Sequence, residues 1–265
     1  LLSVAENLKV VGHAAGSVKH LMPKEGYNRG IVVLSAAPVI ADSVAEYILW
    51  AMLSLQRDLY RYDRRMKLER KWKGDGENYA HELYHKKVGI VAASMVGRRV
   101  IALLKPFGCD LMVYDPYLSQ AGAQELDVRL VSLEELFSAS DIVSVNSPTT
   151  PETKEMIGTQ HFQAMKDGAL FINTARAWVV DQAALLSELR RGRIRAVLDV
   201  FDPEPLPPED PLRDLPNVFL TPHVAGFTVE SRLRLVEAIA EDMRRVFAGD
   251  APSLAVSWER LKIMA

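Results

Sequence analysis

Along the chain, short apolar runs alternate with longer stretches in which apolar residues return every three or four positions. The runs VGIVA (88–92), LMVYD (111–115), IVSVN (142–146), ALFIN (169–173), AVLDV (196–200) and VFLT (218–221) read as strands. Most are near-continuous Val, Ile and Leu rather than apolar–polar alternations, as in strands covered on both faces. Helices are expected between them, over 98–107, from Ser132 and after Asp181, with Ala184, Leu185 and Leu189 on one apolar face. At Ser132 the sequence SLEE offers a capping box to Glu135. Strand alternating with helix implies right-handed crossovers and a parallel sheet.

Two longer helices flank this block. The first is expected to start at Ser43, with a capping box to Glu46 and a stripe of Val44, Ile48, Leu49, Met52 and Leu55. The second begins near Thr228 and carries Leu233, Val236, Ile239, Ala240 and Met243. The flanking pieces are too short to fold alone. The economical arrangement is a first domain over 43–226 and a second, discontinuous one from 1–42 and 227–265. The segment from Arg57 to Lys87 is polar and aromatic (Trp72, Tyr79, Tyr84) and reads as an arm that packs on a second copy of the chain.

Composition narrows the picture. The chain has 265 residues, 49% of them hydrophobic, which suits a globular protein of one large or two smaller domains. A net charge of −2 gives no general attraction to nucleic acid or to an anionic membrane. The basic run RYDRRMKLERKWK (61–73) is interrupted by acids and reads as a solvated helix face. No apolar run approaches the roughly 18 residues of a membrane span. The start LLSVAENLK does not read as a signal peptide, but it lacks an initiator Met, so targeting stays open. Cys109, the single cysteine, fits a buried position and a reducing, cytoplasmic compartment.

The stretch VGIVAASMVGRR (88–99) ends a strand in small residues and opens a helix. A dinucleotide fingerprint places glycines at such a turn, for the bend, for backbone approach to the pyrophosphate and for helix–strand packing. Ala92 and Ser94 occupy the first two of these positions, and only Gly97 remains. The Ala92 methyl is tolerable if φ is negative there. The Ser94 hydroxyl can donate to a phosphate, which the helix N-terminus also favours. Asp115 ends the next strand 23 positions after Ala92, where an acid binds the ribose 2′-OH of NAD and repels a 2′-phosphate. Alone, it reads equally well as the start of the turn DPY. The pattern H-E-x-x-H occurs at His81–His85, but it runs into a strand without a helical surround, so a zinc site is not expected.

Three later segments carry the most specific signal: INTARAWVVDQAAL (172–185), VLDVFDPEPLPPEDPL (197–212) and NVFLTPHVAGFT (217–228). The motifs ARxxxVD, DVFxxEP and TPHxAG, in that order behind a βαβ block, closely resemble the D-isomer-specific 2-hydroxyacid dehydrogenases. The resemblance runs from Asn7 onward. It implies an α/β fold with a doubly wound, Rossmann-like parallel sheet. It also implies a smaller, discontinuous flavodoxin-like domain, several of whose strands would lie upstream of Leu1.

The implied activity is hydride transfer between NAD(H) and a D-2-hydroxyacid/2-keto acid pair, in a cytoplasmic homodimer. The motif arginine falls on Arg176, which would grip the substrate carboxylate. The motif histidine falls on His223, the proton acceptor and donor, and the motif glutamate on Glu204, which would hold the ring tautomer. The pyrophosphate turn falls on Ser94, Met95, Val96 and Gly97, with Asp115 at the ribose. Ser147, Thr174, Ala175, Asp199 and Gly226 would meet the rest of the cofactor, with His223. In HAAGSVKH, backbone N–H groups of Ala15, Gly16 and Ser17 would hold the carboxylate beside Arg176. The departures are Ala92, Ser94 and Ala177 in place of glycine, and Asn146 where histidine is common. They imply altered NAD binding rather than lost chemistry. A second reading of the same resemblance is an NAD(H)-sensing scaffold, because transcriptional corepressors share the family. The substrate side chain is not legible.

Overall fold

The computed structural model describes residues 2–73, 80–261 and 264. In chain order the elements begin with β1 (Val10–His13), α1 (Lys24–Asn28), β2 (Val32–Ser35), α2 (Ala37–Gln56) and α3 (Leu59–Arg64). They continue with β3 (Lys87–Val91), α4 (Met95–Leu104), β4 (Asp110–Tyr114), α5 (Gln120–Leu126), β5 (Arg129–Leu130), α6 (Leu133–Ala139) and β6 (Ile142–Val145). The last are α7 (Thr159–Ala164), β7 (Leu170–Asn173), α8 (Gln182–Arg190), β8 (Arg195–Leu198), β9 (Val218–Leu220), α9 (Val229–Ala248) and α10 (Trp258–Leu261).

Seven strands form one sheet in the order β5-β4-β3-β6-β7-β8-β9, and every pairing is parallel. The order reverses at β3, which pairs β4 on one side and β6 on the other. Side chains alternate between two dry layers. Val91, Val143, Val145 and Phe171 meet α6, α7 and α8, where Phe137, Phe162 and Phe171 stack edge to face or tilted. Val88, Ile90, Ile142 and Ile172 face the opposite layer, with Ile48 and Met52 of α2 and Val100 and Ile101 of α4. Two covered faces are why the strands lack polar alternation. Burying each phenylalanine contributes roughly 2–3 kcal/mol.

A second, two-stranded parallel sheet pairs β1 with β2. The C-terminal segment joins its edge: Ser35 N–H donates to Leu254 O (3.0 Å) and Val256 N–H to Val33 O (2.8 Å). The buried carboxylate of Asp242 on α9 accepts from Ser253 Oγ and from Leu254 N, which pins that segment to the helix. Val18, Met22, Ile31 and Val33 form a small core with Val256, Leu261 and Met264.

Some expectations are corrected. Helix α2 starts at Ala37, six residues before Ser43, which is instead buried mid-helix and accepts from Arg234 of α9 (3.1 Å). The Ser35 hydroxyl accepts from Ala37 N–H (3.1 Å) and Pro38 lies in the first turn, a start that needs no cap at Ser43. Helix α4 begins at Met95 rather than at Arg98, because Ser94 caps it. On α9 the buried apolar residues are Leu235 and Ile239, while Leu233 and Val236 are exposed. Helix α2 has the length and average apolarity of a membrane span, although Asp42 and Glu46 interrupt its apolar residues. Its Ala45, Ile48, Ala51 and Met52 are fully buried in the layer beneath the sheet, the position of a core helix. Tyr79 of the expected arm lies outside the described residues.

Candidate active site

Where the strand order reverses, chain leaves the C-terminal ends of β3 and β6 in opposite directions and opens a crevice. The turn after β3 is tight. Ala92 N–H donates to Tyr114 O (2.8 Å), Ala93 N–H to Asp115 Oδ2 (2.9 Å) and Gly97 N–H to Ser94 Oγ (3.3 Å). A Cβ at Gly97 would stand 2.2 Å from Ala92 O, so only glycine lets α4 approach the strand this closely. Ala92 has φ +74°, the left-handed region, so the condition of a negative φ is not met and its methyl is strained. Ser94 acts as the N-cap of α4; its hydroxyl accepts from Gly97 and keeps its own proton to donate.

Two hollows meet at this turn. A cavity of about 610 Å³ is lined by Ser94, Met95 and Val96 at the start of α4, and by Asn146, Ser147, Thr174, Ala175, Asp199 and Gly226. A smaller one, about 280 Å³, is lined by Ala93, Tyr114, Asp115 and Tyr117, and shares Ser94 and Ser147 with the first. Both Asp115 oxygens accept hydrogen bonds from the protein's own backbone. One oxygen caps the DPY turn through Tyr117 N–H (2.8 Å), and the carboxylate borders the smaller hollow. Among the described residues, buried Ser147 Oγ and Asn146 Oδ1 have no hydrogen-bond partner. Unpaired polar atoms beside a helix N-terminus fit a bound polar group bearing phosphates, so these residues suit a dinucleotide despite the missing glycines.

Arg176, Glu204 and His223 come from three separate loops. Arg176 follows β7 and His223 follows β9, and both line the larger cavity. His223 Nδ1 lies 2.8 Å from Glu204 Oε2, while Glu204 Oε1 accepts from Phe201 N–H (2.9 Å). A carboxylate only accepts, so in the neutral ring the proton sits on Nδ1 and Nε2 is left with a free lone pair. Burial raises the Glu204 carboxyl, but the His223 and Phe201 hydrogen bonds and the His223 and Arg176 charges outweigh it and hold it below its ordinary value. Burial lowers Arg176 and the Glu204 charge opposes it; a guanidinium stays charged regardless. One Arg176 nitrogen donates to Ala175 O (2.6 Å), leaving donors for an anion. Asp199 is fully buried at the cavity wall, and its two oxygens accept from Thr221, Val224 N–H and Ala225 N–H.

The loop after β1 closes the other side. Ala15, Gly16 and Ser17 line the cavity, and their N–H groups make no hydrogen bond among the described residues. Ser35 Oγ donates to Gly16 O (2.6 Å) and orders this loop. A Cβ at Gly226 would meet Ile40 of α2 at 2.7 Å, so glycine lets the loop after His223 touch α2.

The sequence reading missed Lys19, whose ammonium donates to Thr149 O across the crevice and is lowered by burial and by the Arg176 charge. It also missed Tyr47 of α2, whose hydroxyl lies 2.7 Å from Thr221 Oγ1. No motif marks either one; Lys19 stands only two residues beyond Ser17. Ala177 is buried in a 3₁₀ turn behind Arg176, and Asn146 Nδ2 donates to Ser144 O (3.1 Å). His81–His85 lies in a turn before β3, so its two histidines share no helix face. Among the described residues, no group of three His, Cys, Asp or Glu could hold a metal ion. Cys109 is half-buried, and burial pushes its thiol up.

Comparison with known proteins identifies the family of the fold. Residues 49–225 match the family model described as D-isomer specific 2-hydroxyacid dehydrogenase, NAD binding domain. The chain is 36% identical over 250 residues to a D-3-phosphoglycerate dehydrogenase of Archaeoglobus fulgidus, covering 94% of this chain and 47% of that protein. It is 35% identical over 267 residues to a glyoxylate reductase of Korarchaeum cryptofilum, covering 99% of this chain and 80% of that one. The crystal structure of a phosphoglycerate oxidoreductase from Rhizobium etli superposes with a TM-score of 0.84 at 30% identity, covering 98% and 79% of the two chains. The chain thus spans about half the length of the first of these relatives and most of the other two.

Proposed function

Because the chain belongs to the D-isomer-specific 2-hydroxyacid dehydrogenase family, we propose that it interconverts a D-2-hydroxyacid and its 2-keto acid, with NAD(H) as the redox partner. Residues 43–226 form the dinucleotide-binding domain in this reading, and residues 1–42 with 227–265 contribute to the substrate domain. The observation that carries it is the 2.8 Å His223–Glu204 pair opening onto the same cavity as Arg176.

Bound NAD supplies the hydride acceptor, or NADH the donor, at substrate C2. The remaining work falls to the chain. The first turn of α4, with Ser94, Met95, Val96 and Gly97, receives the pyrophosphate, and Ser147, Thr174, Ala175 and Gly226 line its path. Asp115 receives the adenosine ribose, and its charge disfavours a 2′-phosphate, hence NAD rather than NADP. Arg176 holds the substrate carboxylate, joined by the free N–H groups of Ala15, Gly16 and Ser17. In oxidation His223 Nε2 accepts the proton of the 2-hydroxyl, and Glu204 stabilises the imidazolium across Nδ1; in reduction the proton returns to the substrate oxygen. The exposed apolar side chains of the segment after α2, Tyr60, Leu68 and Trp72 among them, support pairing of two copies of the chain.

The test is NADH oxidation by purified protein over a panel of 2-keto acids. Turnover that falls about 10²-fold or more in His223→Ala, with cofactor binding retained, is the expected result. Saturable NADH binding without turnover on any keto acid would instead favour a cofactor-sensing scaffold.

A further inference from the structure

Asp199 is a fully buried carboxylate whose three direct donors are all neutral: Thr221 Oγ1 (2.5 Å), Val224 N–H (2.9 Å) and Ala225 N–H (2.9 Å). Two of those donors immediately follow His223, and the third lies two residues before it. The carboxylate thus ties together both sides of a loop in which His223 adopts φ +54°, a conformation L-residues rarely hold without support.

The chain of hydrogen bonds does not end at Asp199. Tyr47 Oη lies 2.7 Å from Thr221 Oγ1. Either oxygen alone could be the donor, but the second contact decides it. A carboxylate only accepts, so the Thr221 proton goes to Asp199 and Tyr47 must donate to Thr221. Two hydroxyl dipoles then point in series at one buried charge, each strengthening the next. Tyr47 belongs to α2, the helix that leads from the two-stranded sheet into the layer beneath the large sheet, and its ring packs on Trp50 at 5.3 Å. Burial, opposed by the Thr221 hydrogen bond and reinforced by the Asp199 charge, pushes its phenol up to about 12, so it keeps the proton that the chain requires.

We propose that Tyr47 is a positioning residue for His223: through Thr221 and Asp199 it anchors the histidine loop to helix α2. The inference rests on the proposed function in assigning proton transfer to His223, but the anchoring itself does not need turnover. Tyr47 touches neither substrate nor cofactor in this arrangement. Its effect reaches the reaction through the place at which His223 Nε2 is held, so it bears on kcat rather than on substrate capture.

Three variants isolate the device. Tyr47→Phe keeps the ring and removes the terminal donor. Thr221→Val keeps the shape and breaks both links, and Thr221→Ser restores the hydroxyl. Two readouts are taken: kcat and KM for a keto acid at saturating NADH, and amide hydrogen exchange of residues 223–226 in the protein without cofactor. Tyr47→Phe and Thr221→Val are each expected to lower kcat about tenfold with KM within about twofold. The double variant should be no worse than Thr221→Val alone, and Thr221→Ser should recover most of the loss. Exchange at residues 223–226 rises in Tyr47→Phe while exchange across α2 stays as in the wild type. Wild-type kcat and wild-type exchange in Tyr47→Phe would overturn the proposal, as would losses that add in the double variant. If Tyr47→Phe does not fold, Thr221→Val against Thr221→Ser decides. If the wild-type protein shows no turnover, the functional reading fails, and the exchange measurement still decides whether Tyr47 anchors the loop.

Discussion

Ala92 is the residue at which this site departs furthest from the glycine-rich turn. At φ +74° its methyl costs roughly 1–2 kcal/mol relative to a relaxed conformation. The strain is held by the Ala92–Tyr114 hydrogen bond and by Gly97, which lies against the Ala92 carbonyl. Replacement Ala92→Gly relieves it, although glycine gives back some entropy in the unfolded chain. The expected net effect is stabilisation by about 0.5–1 kcal/mol, read as a higher urea midpoint at unchanged m. An unchanged or lower midpoint would mean that the turn has relaxed around the methyl. At the same scale, Ser94 shows how a substitution redirects chemistry: its hydroxyl takes on the capping of α4 and still offers a proton toward the crevice.

Among the elements, the central strands were legible in the sequence within one or two residues, because burial on both faces leaves an unmistakable apolar run. Strands β1 and β2 were not, being four residues each, the first half-buried throughout and interrupted by Gly12. Strand β5 has two residues and no pattern at all. The start of α2 was misplaced because Ser35, outside the helix, does the work expected of Ser43. The motifs singled out Arg176, Glu204 and His223, which the fold brings to one end of the crevice, whereas Tyr47 and Lys19 hydrogen-bond to partners more than a hundred residues away, which no local pattern records.

Helix α7 carries a pH dependence. Its buried His161 accepts from Gly158 N–H on Nδ1 (3.1 Å), and burial holds the imidazole below the ordinary histidine value, opposed only by the charge of Glu134. The folded chain therefore binds this proton less readily than the unfolded chain does. The contribution is complete above about pH 6.5 and is lost as pH falls below it, down to the lowered folded value. The melting temperature of the wild type should drop from pH 7.5 to 5.5 by more than that of His161→Gln. Equal drops would show that His161 is not the group responsible.

At the scale of the whole molecule, the crevice lies between the large sheet and the small one, and Lys19 and Gly226 bring the two sides together. Closure of such a crevice would exclude water from Arg176 and His223 and strengthen both contacts. The exposed apolar surface after α2 predicts self-association. Trp50, Tyr60 and Phe219 form one aromatic cluster, with Tyr60 and Phe219 centroids 4.4 Å apart, and Leu68 and Trp72 stand exposed beyond it. Sedimentation velocity should give the mass of two chains, and paired Leu68→Glu and Trp72→Glu changes should shift it toward one. A single-chain mass for the wild type at every concentration would refute this.

The most direct measurement of the central claim follows one atom. NADH carrying two deuteriums at C4 is incubated with the protein and a 2-keto acid, and the product is analysed by mass spectrometry and chiral chromatography. The account predicts one deuterium at C2 of a D-2-hydroxyacid, formed by the wild type and about 10²-fold or more slowly by His223→Ala. Product without deuterium, or of the L configuration, would contradict it, and so would the absence of product from every keto acid tried.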